Sequence, residues 1–300
     1  MRVYLIDGTY ELFRGFFGAP AAEVNGHPVG AVRALVRSLA AWLRTGTVTH
    51  AGVAFDHVIE SFRNELFVGY KTGEGMDPEL YAQFPLAERA AAALGLTVWP
   101  MVEFEADDAL ATAAAQLARE PHVTQILLTS PDKDLAQCVQ GDHIVAFDRH
   151  RDVMLNTSGV ISKFGVPPGA IADYLALVGD SADGIPGIAG WGAKSAATML
   201  TRWGSIEAIP PDHTQWDIAV RGAAKLASAL NTDRAAALLY KRLASLRTDC
   251  PIDASLSTLA WRPPSRAQLA PICAELGIAP ESLKLADIKP RESDLDGPSM

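Results

Sequence analysis

Aromatic residues are scarce, 7% of 300, and there are only three cysteines. With few rings, a core has to be built from aliphatic side chains and alanine. The 49% hydrophobic content supplies that core and excludes a disordered or low-complexity chain. Cys138, Cys250 and Cys273 are odd in number and far apart, so they form neither a CxxC pair nor a disulfide framework. A reducing, cytoplasmic setting is expected. No apolar run approaches the length of a membrane span, and the four apolar residues before Asp7 are too few for a signal peptide. Basic residues are outnumbered, 26 against 35, for a net charge of −9. By count alone this disfavours a nucleic-acid binder, because phosphate affinity comes from Lys and Arg. Where the acids sit matters more than how many there are.

Short apolar runs at Val3–Ile6, Ala51–Phe55, Leu96–Trp99, Thr124–Thr129 and Ile144–Phe147 read as strands. They lack polar alternation, which suits a sheet buried on both faces. Helical patterns alternate with them. Val32, Leu35, Val36, Leu39 and Leu43 form one stripe, and Leu86–Leu94 and Ala106–Leu117 are Ala/Leu-rich. Strand alternating with helix predicts an α/β fold with a mainly parallel central sheet flanked by helices. Beyond about Asn156 helices dominate: Thr157–Phe164, Pro168–Val178, Ala193–Trp203, Ile218–Leu230 and Arg234–Leu246. A boundary near 156 is therefore expected, with an α/β core over 1–156 and a helical region over 157–290. The polar stretch 291–300 reads as a disordered tail.

Nine acids fall into five groups: Asp7; Asp56; Glu105, Asp107 and Asp108; Asp132 and Asp134; Asp180 and Asp183. Four of the groups follow a strand or open a helix. In an open α/β sheet the site lies beyond the carboxyl ends of the strands, where such acids would converge. Taken singly, each acid is more simply a turn or N-cap residue. Taken together, converged carboxylates repel one another unless cations neutralise them. An all-oxygen set without His or Cys at ligand spacing suits Mg²⁺ or Mn²⁺ and argues against zinc. Two such ions serve chemistry on phosphate esters.

Gly184–Gly192 carries four glycines in nine residues. Such a hairpin between helices can present backbone N–H groups to a phosphate, with Gly187, Gly190 and Gly192 allowing close approach and Lys194 following. A plain helix–helix turn explains its composition equally well. Between Gly187 and Cys250 eight bases meet five acids, so this region is mildly basic within an acidic chain.

These segments resemble the 5′-nuclease (flap endonuclease) superfamily, and within it the 5′–3′ exonuclease domain of bacterial DNA polymerase I and its stand-alone bacterial relatives. The matching stretches are Leu5-Ile-Asp-Gly8 with Arg14, Val53-Ala-Phe-Asp56, Ser61-Phe-Arg63, Tyr70-Lys71, Glu105-Ala-Asp-Asp108, Asp132-Lys-Asp134 and Gly179-Asp-Ser-Ala-Asp183. The resemblance implies a PIN-like 5′-nuclease fold with a helical arch around 60–85. It also implies a helix–hairpin–helix (helix-three-turn-helix) element at 184–194 that binds duplex backbone, with K⁺ held by backbone carbonyls. It further implies two Mg²⁺ or Mn²⁺ ions. Asp7, Asp56, Glu105 and Asp107 map to the tighter one, and Asp108, Asp132, Asp134, Asp180 and Asp183 surround the second. Lys71 and Arg63 map beside the scissile phosphate, and Arg14 to the DNA. The implied activity is two-metal hydrolysis of DNA at a 5′ flap, nick or 5′ end, in replication or repair, by a bacterial, nucleoid-associated monomer. With no room for polymerase domains in 300 residues, it would act alone or recruit a polymerase in trans.

The sequence departs from this family in three places. Glu74 stands where an arginine is usual. Residues 60–79 hold five acids against Arg63 and Lys71 alone, a composition poorly suited to threading a single strand. Gly184 stands where relatives commonly carry Asn. A catalytically weak DNA-structure-binding homologue is the alternative reading.

Overall fold

The computed structural model describes residues 1–285 and Ile288. The tail expected at 291–300 lies outside them. The chain forms two compact units. One contains residues 1–59, 74–130 and 249 onward; the other contains 60–73 and 131–248.

The first unit is built on four parallel strands: β1 (Arg2–Asp7), β2 (His50–Asp56), β3 (Thr97–Met101) and β4 (Gln125–Thr129). Their order is β3-β2-β1-β4. Val3, Leu5, Ile6, Val53, Phe55, Ile126 and Leu128 are fully buried, at positions that point to both faces. Double burial is what the unbroken apolar runs predict. The Ala106–Leu117 helix packs across all four strands. Pro100 lies in β3, whose single partner strand within this unit is β2; at such an edge a missing N–H is tolerated.

The strand order reverses at β1. Strands β2 and β3 follow on one side, and the chain then returns to place β4 on the other. This is the topological switch point at which α/β sheets bind ligands. The residues from 249 onward complete the unit. Thr97 Oγ1 donates to Thr258 O (2.6 Å), Trp99 Nε1 to Asp253 O (3.2 Å) and Trp261 N to Thr49 O (2.8 Å).

The second unit is mainly helical. It holds an antiparallel pair, β5 (Ile144–Asp148) and β6 (Val153–Leu155), and helices Thr157–Phe164, Ile171–Val178, Ala193–Trp203, Ala223–Thr232 and Arg234–Ala244. Its core gathers Val160, Leu175, Leu177, Met199, Leu200 and Leu230 around Trp191 and Trp216. Two helices start later than the sequence predicts. Pro168–Ala170 forms a separate 3₁₀ turn before Ile171. The helix expected from Ile218 begins at Ala223, because Gly222 adopts φ +76° and interrupts any earlier turn. Residues 60–85, expected as one arch, are divided: Phe62–Leu66 is a short helix of the second unit, while Pro78–Tyr81 and the start of Phe84–Ala93 belong to the first. Among the described residues no helix is long and apolar enough to cross a membrane.

Candidate functional site

In the first unit the acids stand at strand ends and are tied to one another by hydrogen bonds. Asp7 ends β1 and caps the Gly8–Gly18 helix, accepting from Tyr10 N (2.8 Å). Its other oxygen accepts from Ser130 Oγ (2.9 Å), just beyond β4 and so at the switch point. Asp56 ends β2. Its N–H donates to Thr9 Oγ1 (2.8 Å), and its Oδ1 accepts from Ala106 N (2.7 Å) at the head of the helix after β3. Asp108, fully buried, accepts from Glu105 N (3.0 Å) and so fixes that helix start. Glu105 is buried and Asp107 half-buried. The capping role that a lone acid suggests is thus real for Asp7 and Asp108. Arg14 is exposed on the Gly8–Gly18 helix. Thr9 and Ser130 escape sequence reasoning, although each adjoins a strand end.

In the second unit Asp134, Asp180 and Asp183 come together, with one carboxylate oxygen of each lying within 4.8 Å of the others. All three are at most 9% exposed. Asp180 is fixed by reciprocal backbone hydrogen bonds with Ile185 (2.8 Å each), and its Oδ1 accepts from Ala182 N (3.1 Å). Asp132 caps the following turn by accepting from Asp134 N (2.8 Å). Two lysines answer the cluster: Lys133 Nζ lies 2.7 Å from Asp180 Oδ1, and Lys71 Nζ 2.9 Å from Asp183 Oδ1. Asp134 Oδ1 is buried with no hydrogen-bond partner. Burial first, then the charges of Asp132, Asp183 and Asp180, push the Asp134 carboxyl well above its usual range, against the pull of Lys71. Burial by itself would lower the Lys133 ammonium, but its hydrogen bond to Asp180 and the neighbouring carboxylates raise it.

A buried orphan oxygen among hard carboxylates fits a divalent cation held by oxygen ligands. It is also costly in a protein without one.

Lys71 sits on a closely held loop. Gly73 N donates to Glu60 Oε1 (3.0 Å), closing the loop at its base. Asn64 Nδ2 donates to Lys71 O (2.9 Å), and Lys71 N donates to Asp183 O (3.0 Å). Arg63, expected beside Lys71 at the phosphate, is 1% exposed. Its Nε donates to Leu243 O (2.7 Å) and an Nη to Ser245 O (3.1 Å), and its guanidinium lies over the Phe62 ring. A guanidinium so engaged anchors the loop to the end of the Arg234–Ala244 helix instead of touching substrate.

Gly184 explains one departure from the family. At φ +73°, a Cβ there would fall 2.1 Å from Gly69 O. Asn tolerates the dihedral but not the approach. Gly184→Ala is expected to cost roughly 1–3 kcal/mol from the backbone conformation alone, and to loosen Lys71 from Asp183. Urea denaturation and the rate of cleavage by the folded variant would check both.

The hairpin glycines divide by role. Gly187 is structural, because at φ +73° its Cβ would meet Gly179 N at 2.6 Å. Gly190 also has positive φ. Gly192 has an ordinary extended backbone and open space where a side chain would point, and it caps Ala193–Trp203, with Lys194 exposed beside it.

A likeness to solved structures defines the fold. The chain resembles the T5 D15 protein co-crystallised with metal ions (TM-score 0.67, 18% identity, 95% of this chain and 100% of that one). It also resembles the catalytic core of Rad2 in complex with DNA substrate (TM-score 0.60, 13% identity, 94% and 90%). The architecture is thus that of the flap-endonuclease fold. Residues 2–165 match the model of the 5′-3′ exonuclease N-terminal resolvase-like domain, and 166–267 that of the 5′-3′ exonuclease C-terminal SAM fold. The chain belongs to the 5′–3′ exonuclease family. Relatives include DNA polymerase I of Rhizobium leguminosarum (35% identity, 89% of this chain, 26% of that protein) and the 5′-3′ exonuclease of Aquifex aeolicus (32% identity, 69% and 71%). The chain spans between a quarter and a third of the polymerase I relatives' length. These matches give the catalytically weak alternative no support.

Proposed function

We propose that the chain hydrolyses DNA phosphodiesters at 5′ flaps, nicks or 5′ ends, with Mg²⁺ or Mn²⁺ held by the carboxylates of each unit. The observation that carries this reading is the Asp134–Asp180–Asp183 cluster, with its orphan oxygen and with Lys71 attached. In the first unit Asp7, Asp56, Glu105 and Asp107 are the proposed ligands, with Asp108 holding the helix that carries two of them. Divalent ions held by these acids would supply an activated water and would neutralise charge on the phosphodiester. The protein's own part is to orient the ligands, to exclude alternative partners from Asp134, and to hold the Lys71 ammonium on a braced loop. A cation so braced can stabilise negative charge that builds on a phosphate in the transition state. Lys194 offers a base to the duplex, and Gly192, whose N–H is held by Ser195 Oγ (3.0 Å), leaves open space for its backbone to approach; such a contact reads phosphate and shape instead of base sequence. Relatives include DNA polymerases I, so a DNA polymerase is the proposed partner on the same nicked duplex.

The test is incubation of the protein with a 5′-labelled flap duplex and Mg²⁺, with EDTA as control. Cleavage near the junction that EDTA stops supports the proposal; tight binding without cleavage overturns it. A second expectation concerns the hairpin. Gly192→Val keeps an allowed backbone, so the fold should survive while the added side chain blocks the phosphate. Duplex affinity should fall roughly ten-fold, the scale of losing one or two phosphate contacts. The single-turnover rate on bound substrate should change little. Unchanged affinity would leave the hairpin a plain turn.

A further inference from the structure

Lys133 lies inside the motif that supplies Asp132 and Asp134, yet the mechanism above gives it no role. Its ammonium is 2.7 Å from an oxygen of Asp180, one of the three carboxylates that gather in this cluster beside the orphan-bearing Asp134. The two partners differ in freedom. Asp180 is 4% exposed and fixed by its backbone pairing with Ile185 and by Ala182 N. The Lys133 side chain is 37% exposed and hangs from a flexible stem. An ammonium and a divalent ion repel strongly at the separation of two ligands of one carboxylate. If an ion takes Asp180, Lys133 is therefore the partner that yields, and it can do so by swinging into water.

We infer that Lys133 is a placeholder for the second ion. It neutralises Asp180 while the carboxylates have no ion, and it must leave Asp180 for the ion to bind, so this site fills at a higher ion concentration than its carboxylates alone would set. The inference rests on the metal reading proposed above and adds to it a residue that governs occupancy without being a ligand.

Mn²⁺ binding to the full chain, followed by the loss of the free-ion electron paramagnetic resonance signal, tests it without any cleavage assay. Lys133→Met keeps an unbranched side chain one atom shorter and removes its charge. The Mn²⁺ whose binding depends on Asp134, identified as the one lost in Asp134→Asn, should bind roughly ten-fold more tightly in Lys133→Met. Lys133→Arg should stay near wild type. Without ions Lys133→Met should melt at a lower temperature than wild type, and Mn²⁺ should raise its Tm by more. In wild type, acetylation of Lys133 by an amine-reactive ester, read by mass spectrometry, should rise several-fold on Mn²⁺ addition while that of the exposed Lys194 stays constant. This measurement holds even if Lys133→Met fails to fold. Unchanged or weaker Mn²⁺ binding in Lys133→Met, or unchanged labelling in wild type, would overturn the inference and make Lys133 a mere brace for Asp180. If Asp134→Asn removes no Mn²⁺ from wild type, the metal reading itself fails and the inference falls with it.

Discussion

Asp134→Asn should reduce cleavage by roughly 10³-fold or more, since a misplaced metal forfeits several kcal/mol of transition-state stabilisation. The same variant should be more stable than wild type without ions. Folding buries the Asp134 carboxyl beside Asp132, Asp180 and Asp183, which raises its pKa in the native state. A native state that holds its proton to higher pH than the unfolded chain loses stability as pH climbs. The loss begins near the unfolded carboxylate value, about 3.9, and is complete once pH passes the raised native value. An amide at 134 cannot ionise and escapes it. Melts in EDTA across acid to neutral pH should show the two proteins converging at low pH. Near neutrality the variant should lead by roughly 2–4 °C, the shift that 1 kcal/mol produces in domains of 150–250 residues. Near wild-type turnover at saturating Mg²⁺ would remove Asp134 from the site, and a lower Tm at neutral pH would show that its charge does not oppose folding.

Lys71→Ala is the second large effect, a fall of roughly 10²–10³-fold in single-turnover rate, the usual scale for deleting one electrostatic stabiliser of a transition state. Duplex affinity should fall far less, because one phosphate contact is a small part of the whole. The loop geometry sharpens the test. Asn64 holds the Lys71 carbonyl without bearing charge, so Asn64→Ala should give a smaller rate loss that vanishes when Lys71 is already alanine. Additive losses would mean that Asn64 acts on something other than Lys71. A normal rate in Lys71→Ala would separate the loop from catalysis altogether.

Periodicity and turn chemistry carry the parallel strands, because residues such as Val3, Leu5 and Phe55 leave no polar alternation for any other reading. The Ala193–Trp203 helix is read to the residue, with Gly192 before it and Gly204 at φ +79° after it. The Gly8–Gly18 helix is not announced, since three glycines dilute its pattern and its cap, Asp7, looks like a strand-end acid. Nor is Arg266–Leu276, which carries Pro271 inside it. In the site, the convergence of Asp134, Asp180 and Asp183 is what the resemblance to the family implies; spacing alone leaves Asp180 and Asp183 at a helix end, apart from the strand-end acids. The fate of Arg63 follows from neither. Its carbonyl partners, Leu243 and Ser245, lie about 180 residues away, and nothing local distinguishes an arginine that meets phosphate from one that binds backbone. Lys133 is invisible for the opposite reason, because between two acids any lysine looks like a surface counter-charge.

The three-stretch composition of the first unit bears on how it is made. Strands β1 to β4 are synthesised before residues 131–248, and only afterwards come Asp253, Thr258 and Trp261, which secure β3 and its neighbours. At about 5–20 residues per second that interval lasts roughly 6–24 s. Throughout it Thr97 and Trp99 lack the carbonyls they donate to in the finished protein. The length of the intervening second unit thus sets how long the first unit of each nascent chain waits for the segment that completes it.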